Sequence, residues 1–304
     1  MKENLTLLAE KLRKKVAVDN AKTFANLTTI GCGGKVGIVA YPTNLGQLKY
    51  CLTLAKKYNT NFVVLGKGSN FLASDDDFDG LVICTERLNK LRRFATTVWC
   101  QCGVHTAKLA LFCAKRGLGG CEFLYCLPAT VGGAVVMNAG CFGNEMANVV
   151  KAVWYLEDNK LKKVNATNCK FSKRSSMFKN GNKVVVAVQL QLKRGNKKAI
   201  LDTCKSLMAK KRATQPLGQK TFGSAFFNKD GTASLLIDKA GLKNFQIGGA
   251  KVSNLHAGFV INIDKATSFD IYLLLLHIKR QVYLKFGQTL TLEVQTLGFD
   301  RENL

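Results

Sequence analysis

Proline is scarce in this chain, with three in 304 residues, and no proline-rich or low-complexity tract appears. Domain boundaries therefore have to be read from hydrophobic pattern rather than from linkers. Cysteine pairs in CxxC spacing are absent: Cys100 and Cys102 are two apart and Cys121 and Cys126 five apart, which excludes the common zinc-ligand frames. No metal site is expected. The eleven cysteines are an odd number, and the opening "MKENLTLLAEKLRKK" mixes charges with apolar residues as an amphipathic helix does, not as a secretory signal does. The thiols are therefore read as reduced, buried small hydrophobes in a cytoplasmic protein. Long apolar runs are missing too. The longest purely aliphatic one is Leu273 to Leu276, too short for membrane insertion. Acid is also in short supply, with 20 Asp and Glu against 45 Lys and Arg, for a net charge of +25. That surplus implies attraction to something anionic. No zinc finger, basic zipper or RRM signature accompanies it, so no specific nucleic-acid partner is expected. The basic run from Lys193 to Lys220 reads as the solvated face of a helix, with one or two residues reaching an anionic substrate.

What is present is 47% hydrophobic, enough for two or three domains. "GIVAYP" and "NFVVLG" read as strands flanking a helix from Leu45 to Tyr58, a βαβ-like start. "GLVICT" and "TTVWCQCG" are further strands, and "VHTAKLALFCAKRGLGG" a helix stopping at Gly117. "KVVVAVQLQLKRG" has the alternation of a half-exposed strand, and a basic helix follows through Met208. A short helix near Ala233 to Ala240, the strand "AGFVINI", a long helix from Ser268 to Phe286 and the closing strand "TLTLEVQTLG" complete the chain. Thr267 or Ser268 is the expected N-cap of the long helix, and Gly287 its stop. Strands and helices mix without strict alternation, which gives an α+β class.

Two glycine-rich stretches stand out. In "VVLGKGSNFLAS" an apolar strand runs into Gly66, Lys67, Gly68, Ser69 and Asn70, where backbone N–H groups can turn toward a phosphate and two side chains can add donors. Phe71 stands where a dinucleotide fingerprint needs its third glycine, so this is neither that motif nor a P-loop. An ordinary glycine turn is the alternative. The second stretch, Gly117 to Glu145, combines Pro128 with the small residues Gly132, Gly133 and Ala134 and then Asn138 to Gly140. Such backbone suits close approach to a large flat ligand, or a tightly packed crossing. Ser224, in "TFGSAFFNKD", reads by itself as a turn or strand residue. His256, entering an apolar strand, reads as structural.

In their order, "TTIGCGGKV", "VVLGKGSNFLASDDDFDGLVI", "GLGGCEFLYCLPATVGGAVVMNAG", "FSKRSSMFK", "QPLGQKTFGSAFFN", "LLIDKAGLKNFQIGGAKVSNLHAGFVIN" and "TLEVQTLGF" resemble the UDP-N-acetylenolpyruvoylglucosamine reductase family in its shorter form, over about Thr28 to Gly298. The resemblance implies a two-lobed FAD domain of the vanillyl-alcohol-oxidase type, with lobes at 1–84 and 85–198, and a substrate domain at 199–304 whose C-terminal strand carries Glu293. It implies noncovalent FAD, with the pyrophosphate near Gly66, Lys67, Gly68, Ser69 and Asn70. The rest of the cofactor would lie along Pro128, Thr130, Gly132, Gly133, Ala134, Asn138 and Ala139. NADPH would be the reductant and a UDP-sugar enolpyruvyl ether the substrate, in peptidoglycan precursor synthesis, with the protein a monomer. Arg174 matches the family's carboxylate-binding arginine, Glu293 the acid that polarises the carboxyl, and Ser224 the proton donor to carbon. Asn228 and Arg212 match substrate contacts. The chain departs from the family pattern at Lys173, Lys67, Lys35 and Ala129, which stand for tyrosine, glycine, proline and glycine. A basic nucleic-acid-binding protein on an inactive scaffold is the competing reading, carried by charge alone.

Overall fold

The first apolar segments fold locally as their patterns demand. Val36–Tyr41 and Phe62–Leu65 are strands, and the amphipathic stretch between them is the helix Leu45–Lys57. Asn44 opens that helix, its side chain accepting from the Gln47 N–H at 2.9 Å. The computed structural model describes residues 2–179, 183–227 and 232–299. Two compact units form, each from separated stretches. The first takes the chain up to Asn20, Ile38–Lys67 and Asp79–Lys210; the second takes Ala21–Gly37, Gly68–Phe78 and the chain from Lys211.

One sheet of the first unit has the order Ala17–Asp19, Val36–Tyr41, Phe78–Cys84, Phe62–Leu65. The two strands of the βαβ-like start are therefore not neighbours, because Phe78–Cys84 lies between them, parallel to Phe62–Leu65. Leu8 and Leu12 of the helix Lys2–Arg13 are fully buried and share a core with Leu48 and Cys51 of Leu45–Lys57. The other sheet is antiparallel, in the order Lys160–Asn165, Val150–Glu157, Val184–Gln191, Thr97–Gln101, Leu91–Phe94. Here the half-exposed alternation expected of Val184–Gln191 does not hold. The strand sits at the sheet's centre, and Val184 through Val188 are all buried, as a run of β-branched residues covered on both faces should be. Only its end, at Gln189 and Gln191, reaches solvent. The helix Thr106–Ala114 gives way to Gly117 at φ +63°, and the basic helix runs from Lys197 to Thr214, past its expected end at Met208.

The second unit is built on the helix Ser268–Phe286. Thr267 caps it, accepting from the Asp270 N–H at 3.0 Å while Asp270 accepts from the Thr267 N–H at 3.0 Å, and Gly287 ends it at φ +65°. Ile271, Leu274, Leu275, Ile278 and Val282 line its buried face and share a core with Phe222 and Phe226. The helix Thr232–Lys239 and the antiparallel strands Gln246–Ile247, Ala250–Val252 and Val260–Asn262 complete that core. The expected closing strand from Thr289 to Gly298 shortens to Gln295–Leu297, and Glu293 lies before it. The reason is a change of partner: Leu292 bridges Phe226, whereas Gln295–Leu297 pairs in parallel with Phe71–Ala73, and the chain bends at Val294 between the two.

All eleven cysteines are free thiols, and all but the half-buried Cys141 are buried. Among the described residues no helix is long and apolar enough to cross a membrane, and no group of three His, Cys, Asp or Glu could hold a metal ion.

Candidate active site

In the first unit the Gly66 position is defined by close approach: a Cβ there would run into the Thr130 side chain. Thr130 is buried and caps the helix Val131–Val136, accepting from the Gly133 N–H at 3.4 Å. The next two donors of that helix start are also committed, Val131 N–H to the Val104 carbonyl and Gly132 N–H to the Cys102 carbonyl, both at 2.8 Å. Gly132 and Gly133 can therefore serve a ligand by shape, not by donating. The buried Thr106 hydroxyl donates to the carbonyls of Leu127 (2.6 Å) and Ala129 (3.1 Å), which clamps the loop at the exposed Pro128. Sequence reading missed Thr106, whose partners lie 21 and 23 residues away.

From Lys67 to Asn70 the four successive backbone N–H groups donate to no described group. Gly68 is at φ +62°, and a side chain there would meet the Leu27 carbonyl. Unpaired main-chain donors in a turn with a lysine at its head make a donor set that fits a pyrophosphate.

Arg174 sits at the tip of a two-residue turn. Ser172 and Ser175 exchange both backbone hydrogen bonds, at 3.0 and 3.1 Å, and Arg174 itself is at φ +58°, a region that most side chains avoid. Three bonds tie this turn to the glycine-rich stretch. The Asn138 amide nitrogen donates to the Ser172 carbonyl at 3.0 Å, the Ser176 hydroxyl to Val136 O at 2.8 Å, and Arg174 Nη2 to Gly140 O at 3.4 Å. Asn138 is fully buried at φ +42°, and its Oδ1 accepts from the Ala147 N–H at 2.9 Å. Its amide group is thus spent on fixing the turn that presents Arg174.

The second unit brings three of the expected residues together on chain segments that hydrogen-bond to one another. Ala225 donates its N–H to Gly258 O at 2.8 Å and accepts from the Glu293 N–H at 2.9 Å. Ser224, the residue before it, pairs with Phe259, and its half-exposed hydroxyl donates to Phe226 O at 3.1 Å. Asn70 joins from the other side: its side-chain nitrogen donates to Glu293 O at 3.2 Å, and its carbonyl accepts from the Gln295 N–H at 3.1 Å. His256 accepts from the Gly258 N–H through Nδ1 at 3.1 Å and packs edge-on to Phe259. Burial holds its pKa below the ordinary value, so it supports the strand beside Ser224 as a neutral ring. Arg212 is exposed in the last turn of Lys197–Thr214. Asn228 lies outside the described residues.

Residues 36–159 match the family model described as an FAD-binding domain, and residues 215–297 match that of the UDP-N-acetylenolpyruvoylglucosamine reductase C-terminal domain. A UDP-N-acetylenolpyruvoylglucosamine reductase from Carboxydothermus hydrogenoformans is 37% identical over 296 residues, spanning 96% of this chain and 98% of that protein. The chain belongs to the UDP-N-acetylenolpyruvoylglucosamine reductase family. The reductase from Anoxybacillus flavithermus is 36% identical, over 95% of this chain and 99% of its own. The crystal structure of the Thermus caldophilus reductase superposes with a TM-score of 0.79 at 29% identity, covering 93% of this chain and 99% of that one. Berberine bridge enzyme from Eschscholzia californica shares the fold of part of the chain, with a TM-score of 0.50 over 64% of this chain and 44% of its own at 13% identity. Like the family's other members this reductase is an FAD-dependent oxidoreductase of α+β class with a two-lobed FAD domain of the vanillyl-alcohol-oxidase type.

Proposed function

We propose that Arg174, Ser224 and Glu293 carry the chemistry of this chain's reaction. That reaction is the FAD-dependent, NADPH-driven reduction of UDP-N-acetylglucosamine enolpyruvate to UDP-N-acetylmuramate in peptidoglycan precursor synthesis. When bound, FAD supplies the hydride that reaches the vinyl carbon; the chain has to bind the carboxylate, spread the charge and deliver a proton. The Arg174 guanidinium offers a fixed pair of donors to the carboxylate, where negative charge grows as the double bond is reduced. Glu293, carrying a proton, polarises the same carboxyl group. Ser224 gives its hydroxyl proton to the carbon next to it. A serine is a poor acid and does this only against a strongly basic carbon, in a site closed to bulk water.

What supports the reading is the Ala225 backbone, which hydrogen-bonds to the Glu293 N–H directly after Ser224. A serine and a carboxyl group on chain segments that hydrogen-bond to each other suit work on one small substrate. Lys67 to Asn70 would hold the pyrophosphate and the Pro128 to Ala139 stretch the flat ring, with Arg212 and Asn228 on the substrate. The lobes are proposed at 1–84 and 85–198 and the substrate domain from 199, in a cytoplasmic monomer. The test is turnover: purified protein with NADPH and the enolpyruvyl ether should form the lactyl ether, and acid precipitation should release intact FAD. Flavin that stays with the pellet, or NADPH oxidation that the ether does not stimulate, would overturn the assignment.

A further inference from the structure

We propose that the exposed part of one face of the five-stranded sheet in the first unit, beside the buried Val185 and Ala187, binds single-stranded nucleic acid without regard to sequence. Opposed residues on paired strands share a side of a sheet, as do alternate residues along one strand. One side of this sheet is core: Val153, Val188 and Cys100 face one another in a row and are fully buried. On the other side Trp99 stands between Arg92 and Gln189, and Trp154 between Lys163 and Ala187. Gln191, Thr97 and Phe94 form the next row, and Lys151, at the bulge before Ala152, donates to Gln191 Oε1 at 3.3 Å. Phe94 is 58% exposed. Arg92, Lys151, Lys163 and Gln191 are exposed, and both tryptophans are half-buried. These rows contain no Asp or Glu, and they hold both tryptophans of the chain.

Three aromatic rings among cations and amides are what a single strand needs. Ring faces stack bases whatever their identity, cations neutralise phosphates, and amides meet exposed base edges. The strands bearing Trp99 and Trp154 flank Val184–Gln191, and their partners Gln189 and Ala187 are two residues apart, which sets the two positions about 12 Å apart on the sheet, a span for bases that are unstacked from each other. Lys163 Nζ lies over the Trp154 ring at 5.0 Å from its centroid. Its flexible stem allows the ammonium to move to a phosphate while a base takes the ring. A duplex keeps its bases inside and gains nothing from the rings. A bilayer needs side chains that project and insert, and half-buried tryptophans level with a sheet do not. The reductase reaction, with small anionic ligands, leaves most of the +25 charge without a task.

The experiment titrates the flavin-loaded protein with labelled oligothymidylate, with duplex DNA of the same length, and with vesicles of phosphatidylcholine and phosphatidylglycerol. The single strand should bind tightest and quench tryptophan fluorescence, which comes from this face alone. Trp99→Leu and Trp154→Leu should each weaken binding by an order of magnitude or so, as loss of one stacked base does. Lys151→Gln and Lys163→Gln should each lower the slope of log affinity against log salt by about 0.7. Flavin content and reductase turnover report the fold of every variant; should a leucine variant lose flavin, the two lysine variants decide. Equal affinity for the duplex, binding to vesicles without binding to the oligonucleotide, or binding unchanged in the lysine variants would overturn the proposal.

Discussion

Ser224 is a residue whose neighbours say more than its own side chain does. Its hydroxyl donates to Phe226 O two residues on, a local bond available to any serine in a turn. If it delivers the proton, Ser224→Ala should keep the fold, the FAD content and the rate at which NADPH reduces the flavin. Reoxidation by the enolpyruvyl ether, followed anaerobically after that reduction, should slow by roughly 10²–10⁴-fold. Ser224→Cys should retain part of the rate, because a thiol can also donate. Reoxidation of the alanine variant at the wild-type rate would make Ser224 a turn residue only. The cysteines give a second prediction at this scale. Burial pushes the thiols of Cys51, Cys84 and Cys102 up from 9.0 to about 12, and those of Cys32, Cys169 and Cys204 to about 11. Between those values the folded chain holds protons that the unfolded chain has released. The stability these groups contribute is therefore complete below about pH 9 and lost as pH rises toward 11 to 12. The melting temperature should fall steeply over that window, and Cys51→Ala should make the fall shallower; an unchanged slope in that variant would refute the cause.

Elements became legible from sequence where their signals are local. The helix Ser268–Phe286 was readable with its cap and stop because Thr267, Asp270 and Gly287 act within one turn of its ends. The closing strand was not, because its alternation cannot reveal that Leu292 and Gln295 pair with different partners. The central strand Val184–Gln191 looked half-exposed for a like reason: neighbours on both sides, set by topology, bury its first five residues. The residues proposed for the site came from family resemblance, whereas the bonds that hold them were hidden in long-range contacts. Asn138 reaches Ser172 across 34 positions of sequence. This support is testable. Asn138→Ala removes the donor to Ser172 O and the acceptor for Ala147 N–H, at a cost of about 1–3 kcal/mol in stability for the groups left unpaired. We expect FAD to remain bound and kcat to drop. In an Arg174→Ala background the same substitution should lower kcat little further, because the turn then has nothing to present; full additivity would mean that Asn138 acts elsewhere.

For the molecule as a whole, the excess of positive charge opposes compactness. Raising the ionic strength from a few millimolar to a physiological level shortens the Debye length to about 8 Å, so the melting temperature should rise over that range; a fall would mean that attractive pairs outweigh the self-repulsion. Chain order matters as much as charge. The second unit collects Ala21–Gly37 and Gly68–Phe78 along with the chain from Lys211, and the parallel partner of Phe71–Ala73 is Gln295–Leu297. A ribosome releases the first two pieces long before the third. Until the last strand emerges, Phe71–Ala73 lacks its partner, and the turn that follows Gly66 lacks the bond from Asn70 to Glu293. Until Gln295–Leu297 has emerged, the nascent chain therefore cannot complete the loop proposed to hold the pyrophosphate, and products truncated before Glu293 should fail to capture flavin.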